Sequence, residues 1–171
     1  MSNNNLLIIG AGGHGKCCYD IAKRMNKFDK ISFIDDVETD VFGEKVLAKL
    51  EDIGRYEDSY DFVFVAIGNN NLRNNICEDL LNFRFSFVNL IDPSAVISEY
   101  SAIGKSCVIF PNVVIEAEVT IGDGCIIQSN TTIRHNSVIE EYALIYCNSV
   151  INPQKTIKSK EIVPSVTLED V

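Results

Sequence analysis

Two hydrophobic rhythms divide the chain. Over the first ninety residues, short apolar runs alternate with stretches that have helical spacing. Leu6-Leu7-Ile8-Ile9 is a continuous apolar run, as in a strand buried on both faces, and it halts at Gly10. Residues 15–27 carry Cys18, Ile21, Ala22 and Met25 at i, i+3, i+4 and i+7, which predicts a helix. Residues 31–34 predict a second strand that ends in Asp35-Asp36, and residues 62–67 a third that ends at Gly68. Residues 70–81 predict a helix with Leu72, Ile76 and Leu80 on one face, and residues 85–88 a last strand before Pro93. Segment 43–50 fits either a hairpin or a short helix. Strands alternating with helices predict βαβ units and a parallel sheet.

From residue 97 the rhythm changes. Isoleucine stands at 97, 103, 109, 115, 121, 127, 133, 139, 145, 151 and 157, and Val163 continues the series. A spacing of six fits neither a helix nor an alternating strand, but it is the period of a hexapeptide β-helix. The position two before each isoleucine is small in most hexads: Ala95, Ser101, Cys107, Cys125, Thr131, Ser137, Ala143 and Ser149. Each hexad then supplies a short strand and a turn, and three hexads close one triangular coil. Twelve hexads make about four coils, a prism roughly 19 Å tall. Pro93 marks the shift in composition. The predicted domains are therefore 1–91, α/β and Rossmann-like, and 92–171, a parallel β-helix.

Composition narrows the function classes. The net charge is −9, from 24 acids against 15 bases, which argues against a nucleic-acid binder that must displace counterions with a basic face. The apolar run nearest the N-terminus is too short for a membrane span or a signal peptide. Six cysteines without a secretory signal read as reduced thiols of a cytoplasmic protein. With no CxxC pair and two histidines, a metal site is not expected.

Candidate chemistry gathers at strand ends. Gly10, Gly12 and Gly15 form GxGxxG, with Gly13 and His14 inside the loop, where a strand gives way to a helix. Glycines permit a tight turn and close backbone approach, and a helix start offers free amides to an anion. Asp35 follows Gly10 at about the distance where an acid would meet a ribose hydroxyl. The loop's usual ligand is a dinucleotide. Only about four strands precede the β-helix, however, which favours a single nucleotide, and a purely structural glycine turn stays open. Gly68, Asn69 and Arg73 follow the next long strand, where Arg73 either pairs with a phosphate or is an ordinary helix-face charge. His135 follows Ile133 by two and so falls in a turn of the prism, as a solvated side chain or a base. Cys107 and Cys125 stand three hexads apart and so stack on successive coils. Their side chains then run parallel, which disfavours a disulfide.

Five motifs in order carry a resemblance: residues 8–16 around the glycine loop, Phe33-Ile34-Asp35-Asp36, residues 66–73, residues 90–95, and the hexads around His135. Together they resemble the NeuD/PglD-like family of sugar acetyltransferases. The resemblance implies that the β-helix is left-handed and that the protein is a homotrimer. It implies acetyl-CoA as the donor and a nucleotide-sugar as the acceptor, with acetyl passing to an amine or hydroxyl in surface glycan synthesis. It also implies that the glycine loop, His14, Asp35, Asp36, Gly68, Asn69 and Arg73 hold the acceptor, and that His135 is the general base. The chain departs from the family pattern on the donor side. Asn136 stands where an orienting carboxylate is common, and Leu144 where a second histidine contacts acyl-CoA. Pro153 stands where a glycine amide faces the acetyl carbonyl, and Lys158 replaces a glycine late in the chain. The sequence also stops at Val171, about two coils short of the usual length. The departures keep a second reading open, a catalytically weakened nucleotide-sugar-binding scaffold of the same fold.

Overall fold

The computed structural model describes residues 4–165, so the reading attached to Val171 lies outside the described residues. The polypeptide divides into two compact units between Leu90 and Ile91.

The first unit is built on a four-stranded parallel sheet. Its strands are β1 (Asn5–Ile9), β2 (Lys30–Ile34), β5 (Phe62–Val65) and β6 (Ser86–Phe87), in the order β2-β1-β5-β6. Leu6, Leu7 and Ile8 are fully buried in the central strand, the reason its sequence is continuously apolar rather than alternating. Helix α1 (Gly13–Met25) links β1 to β2, and α2 (Asn70–Leu80) links β5 to β6. The chain thus winds outward in opposite directions from β1 and β5. Right-handed crossovers then place the two helices on opposite faces of the sheet, with a topological switch point between those strands.

Two expectations need correction here. Between β2 and β5 the chain forms both of the alternatives, in sequence. Strands β3 (Asp40–Val41) and β4 (Glu44–Lys45) make an antiparallel hairpin, and a 3₁₀ helix follows at Leu50–Tyr56. Phe42 and Gly43, at φ 53° and 82°, form the two-residue turn that suits a twisted hairpin. On α2, Leu72 is 49% exposed and not part of the buried stripe; Asn70, Arg73, Asn74, Ile76, Cys77 and Leu80 face inward. A buried arginine on that face hid the true period.

The second unit is a three-sided parallel β-helix of two-residue strands, ordered in three sheets in which every third strand pairs. Val108 pairs with Ile126, Ile126 with Leu144, Ile115 with Ile133 and Ile121 with Ile139. Each coil therefore consumes three hexads. The isoleucines point inward, and those at 109, 115, 121, 127, 133, 139, 145 and 151 are buried together, each contributing about 2 kcal/mol of burial.

Where the residue two before the isoleucine is buried and carries a hydroxyl or thiol, that group finds a backbone carbonyl. Thr131 Oγ1 donates to Tyr146 O, Ser137 Oγ to Asn152 O, Cys107 Sγ to Gly122 O and Cys125 Sγ to Glu140 O, always at the same offset along the chain. Cys107 and Cys125 act as stacked hydroxyl substitutes, and none of the six cysteines is in a disulfide. From Ile103 on, the residue three after the isoleucine turns the corner with positive φ, at Ser106, Asn112, Glu118, Gly124, Asn130, Asn136, Tyr142, Asn148, Gln154 and Lys160. Asparagine tolerates this conformation best among residues with a side chain. Asn112, Asn130 and Asn148 form one corner's ladder, each Nδ2 donating to the next Oδ1 at 3.2 Å. No helix among the described residues is long and apolar enough to cross a membrane.

Candidate active site

In the first unit, the loops that follow β1 and β5 meet at the switch point. Gly10 has φ +101°, and a Cβ there would lie 2.7 Å from Ala66 O; at Gly15 it would lie 2.0 Å from Gly10 O. These two glycines let the strands and α1 close on one another. Gly12, Gly13 and Gly68 differ: all are exposed, and a Cβ on any of them would meet nothing within 4 Å. The fold makes no steric demand for them, and their bare backbone borders open space. Gly12 caps α1 without a side-chain bond, and the first turn holds no acidic residue. The helix start is therefore positive and suited to an anion.

Several of the polar residues expected to touch the acceptor also build this edge. Asp35 Oδ2 accepts from Ala11 N at 2.8 Å, and its Oδ1 accepts from Val37 N and Glu38 N. Burial alone would raise its pKa, but the three N–H donors outweigh that and hold it below the usual carboxylate value. Asp35 thus ties the glycine loop to β2. Asp36 Oδ1 accepts from Leu50 N, at the start of the 3₁₀ helix. Asn69 caps α2, its Oδ1 accepting from Leu72 N at 3.0 Å.

Arg73, expected as a phosphate partner or an ordinary helix-face charge, is not a solvent-facing charge. It is fully buried and donates to Ile67 O, Gly68 O and Asn70 Oδ1, bracing the loop after β5. Its charge still reaches His14. Burial first, and then the Arg73 charge, push the His14 pKa down to about 4. The ring is neutral at pH 7, and its Nε2 lies 3.6 Å from Cys18 Sγ. His14 can therefore offer an acceptor only a neutral hydrogen bond. A cavity of about 630 Å³ opens beside Asp36, lined also by Lys49, Leu50, Ile76 and Phe83. It contains none of the loop glycines, and Glu51 and Asp79 join Asp36 on its wall, so a phosphate fits the glycine edge better.

In the second unit, His135 sits at the corner after the strand Thr132–Ile133, exposed. Its backbone N–H donates to Glu116 Oε2 at 2.9 Å, and Glu116 lies 3.7 Å from the Arg134 guanidinium. The ring Nδ1 is 2.9 Å from Asn136 Oδ1, and Asn136 Nδ2 in turn donates to Glu118 Oε2. Glu116 and Glu118 were not among the residues expected here. The signal was present: Glu118 is one coil before Asn136, in the same corner. Leu144 belongs to a different sheet from Thr132–Ile133 and is 5% exposed, so its side chain offers little surface to a thioester. Pro153 stands one coil after His135, where Gln154 N donates to His135 O. Among the described residues, no group of three or more His, Cys, Asp or Glu could hold a metal ion.

Comparison with known proteins aligns with both halves. Residues 5–80 match the PglD N-terminal domain, and residues 100–135 match the bacterial transferase hexapeptide (six repeats). The UDP-N-acetylbacillosamine N-acetyltransferase of Bacillus subtilis (strain 168) is 29% identical over 110 residues, 61% of this chain and 50% of that protein. The chain thus spans about half the length of this curated relative. Among solved structures, the acetyltransferase domain of PglB from Neisseria gonorrhoeae FA1090 superposes with a TM-score of 0.85 at 28% identity, over 91% of this chain and 77% of that one. The same domain in complex with acetyl coenzyme A gives a TM-score of 0.79 at 30% identity, over 84% and 71%. A glycine-loop α/β unit leading directly into left-handed hexapeptide coils is what the chain shares with these proteins, and it belongs to their family, the PglD-like hexapeptide sugar acetyltransferases.

Proposed function

We propose that the protein transfers acetyl from acetyl-CoA to an amine of a nucleotide-activated sugar, as a cytoplasmic homotrimer serving surface glycan synthesis. The observation that carries this reading is the exposed His135, whose Nδ1 is engaged by Asn136. Its Nε2 is left to take a proton. In the reaction, the sugar nitrogen attacks the thioester carbonyl, and His135 Nε2 accepts the proton that nitrogen sheds. The tetrahedral intermediate then collapses, the C–S bond breaks, and the proton passes to the departing CoA thiolate. Such a base contributes about 10²–10⁴-fold. No covalent acyl-enzyme is required. The bare glycines 12, 13 and 68 and the start of α1 fit the acceptor's phosphates. Two relatives, one named for a UDP-linked sugar and one bound to acetyl coenzyme A, support the same assignment. Six cysteines with no disulfide among them suit a reducing compartment.

The test is release of CoA thiol from acetyl-CoA in the presence of a UDP-linked amino sugar. Turnover is expected in the wild type, with a loss of at least about 10²-fold in His135→Ala. One observation favours a second reading, a binding scaffold: Pro153, one coil after His135, has no N–H to offer an oxyanion. Under that reading calorimetry detects the nucleotide-sugar but no acetyl-CoA, and no thiol is released.

A further inference from the structure

We infer that Glu118 is a positioning residue for His135, acting through Asn136, so that a carboxylate orients the base from one coil away. The inference rests on the assignment of His135 as the base.

Donors and acceptors can be matched along the chain of contacts in only one way. An ionised carboxylate only accepts, so Glu118 draws the Asn136 amide into the orientation that presents Nδ2 to it. The other end of the amide, Oδ1, then faces His135 Nδ1 at 2.9 Å. An oxygen accepts, so Nδ1 must carry the ring proton, and Nε2 is left with its lone pair. Were Asn136 to turn over, its Nδ2 would face the ring and its Oδ1 would face the carboxylate, which repels it. The charge one coil away thus selects the amide orientation, and the amide selects the tautomer. In the familiar triad the carboxylate meets the imidazole directly; here an amide stands between them. The remaining charged groups at this corner do not compete for the ring: Glu116 accepts from the His135 backbone and lies beside Arg134. The geometry comes from the β-helix itself, because one coil of three hexads stacks 118 under 136 and both residues turn the corner at φ 60°.

The decisive variant is Glu118→Gln, which keeps the size of the side chain at that corner. The amide introduced at 118 can present either its oxygen or its nitrogen to Asn136, so Asn136 is free to turn over. In ¹⁵N NMR of labelled histidine at neutral pH, wild-type His135 is expected to be protonated at Nδ1, and Glu118→Gln to shift towards the Nε2-protonated form. A tautomer unchanged in Glu118→Gln, with the melting curve showing an intact fold, overturns the inference. Kinetics give a second arm. Glu118→Gln should lower kcat about 10–100-fold, as loss of a partner that orients a functional histidine does, with KM for both substrates within about twofold. Asn136→Asp alone brings two carboxylates together and should also lower kcat. In Asn136→Asp/Glu118→Gln the roles are exchanged. The carboxylate introduced at 136 accepts directly from the ring, and the amide introduced at 118 donates to that carboxylate, so activity should return towards wild type. Losses that multiply in the double variant overturn the relay. If the wild type shows no acetyl transfer, the function assigned to His135 fails, while the tautomer measurement still decides the relay.

Discussion

Gly12 and Gly15 are indistinguishable as letters in a glycine loop, yet different forces hold them. At Gly15 an added Cβ runs into Gly10 O at 2.0 Å, and neither backbone has slack to yield. Gly15→Ala is expected to cost about 3 kcal/mol in urea unfolding, as overpacking in a close-packed site does. Gly12→Ala adds a methyl to open space, so stability should stay within about 0.5 kcal/mol while nucleotide-sugar affinity falls at least about tenfold. Equal effects on stability would show that Gly12 belongs to the fold and not to the site. His14 makes a separate prediction about pH. Its folded pKa of about 4 lies below the unfolded value of 6.5, so the unfolded chain binds more protons between them. The resulting stability is complete above pH 6.5 and is lost as pH falls from there through 4, about 3 kcal/mol in all. Unfolding free energies measured from pH 7 to 4 should fall by that amount more in the wild type than in His14→Gln. Asp35, whose pKa is also lowered, adds a loss only at still lower pH, so the two windows separate.

Among elements, the corner ladders and α2 mark where periodicity was and was not a sufficient guide. From residue 97 on, the hexad period gave one short strand and one turn to every six residues, because the inward isoleucine and the small residue before it have no alternative place in so narrow a prism; the two-residue bounds of each strand came from the structure. It also placed His135 at a corner. It did not place Glu118 beside Asn136, since that contact lies along the prism axis and depends on side chains meeting across coils. On α2 the apolar spacing suggested a stripe through Leu72, but the buried face holds Arg73, Asn70 and Asn74. The guanidinium's bonds to Ile67 O, Gly68 O and Asn70 Oδ1 offset its burial. A charged residue with that many partners is invisible to a hydrophobic pattern. The candidate acceptor residues show the same division. Their location at the ends of β1, β2 and β5 was legible, but Asp35, Asn69 and Arg73 shape the loops from which Gly12, Gly13 and Gly68 look outward.

At the scale of the whole molecule, one β-helix sheet leaves apolar surface to be covered. Val96 and Val150 project from the sheet that also holds Val114 and Thr132, and they are 64% and 62% exposed. Burying such a face against copies of itself is the physical case for the proposed trimer. Sedimentation at micromolar concentration is expected to give three times the 19.0 kDa of one chain. The pair Val96→Lys and Val150→Lys should return it to the mass of a single chain, with the melting curve of the coils retained. A wild-type protein that sediments as a single chain would refute the trimer, whatever the acetyl-transfer assay gives.

The two-part architecture was determined by sequence alone, because each half must bury a repeating apolar set and only one period of burial fits each set. The alternation of strands with helical stretches, the six-residue register, the glycine loop and the corner position of His135 all follow from that local arithmetic. Tertiary structure decided which polar groups are spent on holding the fold and which are left for chemistry. That division depends on partners distant along the chain, such as Ala11 for Asp35 and Glu118 for Asn136. A buried charge, a capped loop and an oriented imidazole are properties of a pair in space, and no single position in the sequence records the distance between its members.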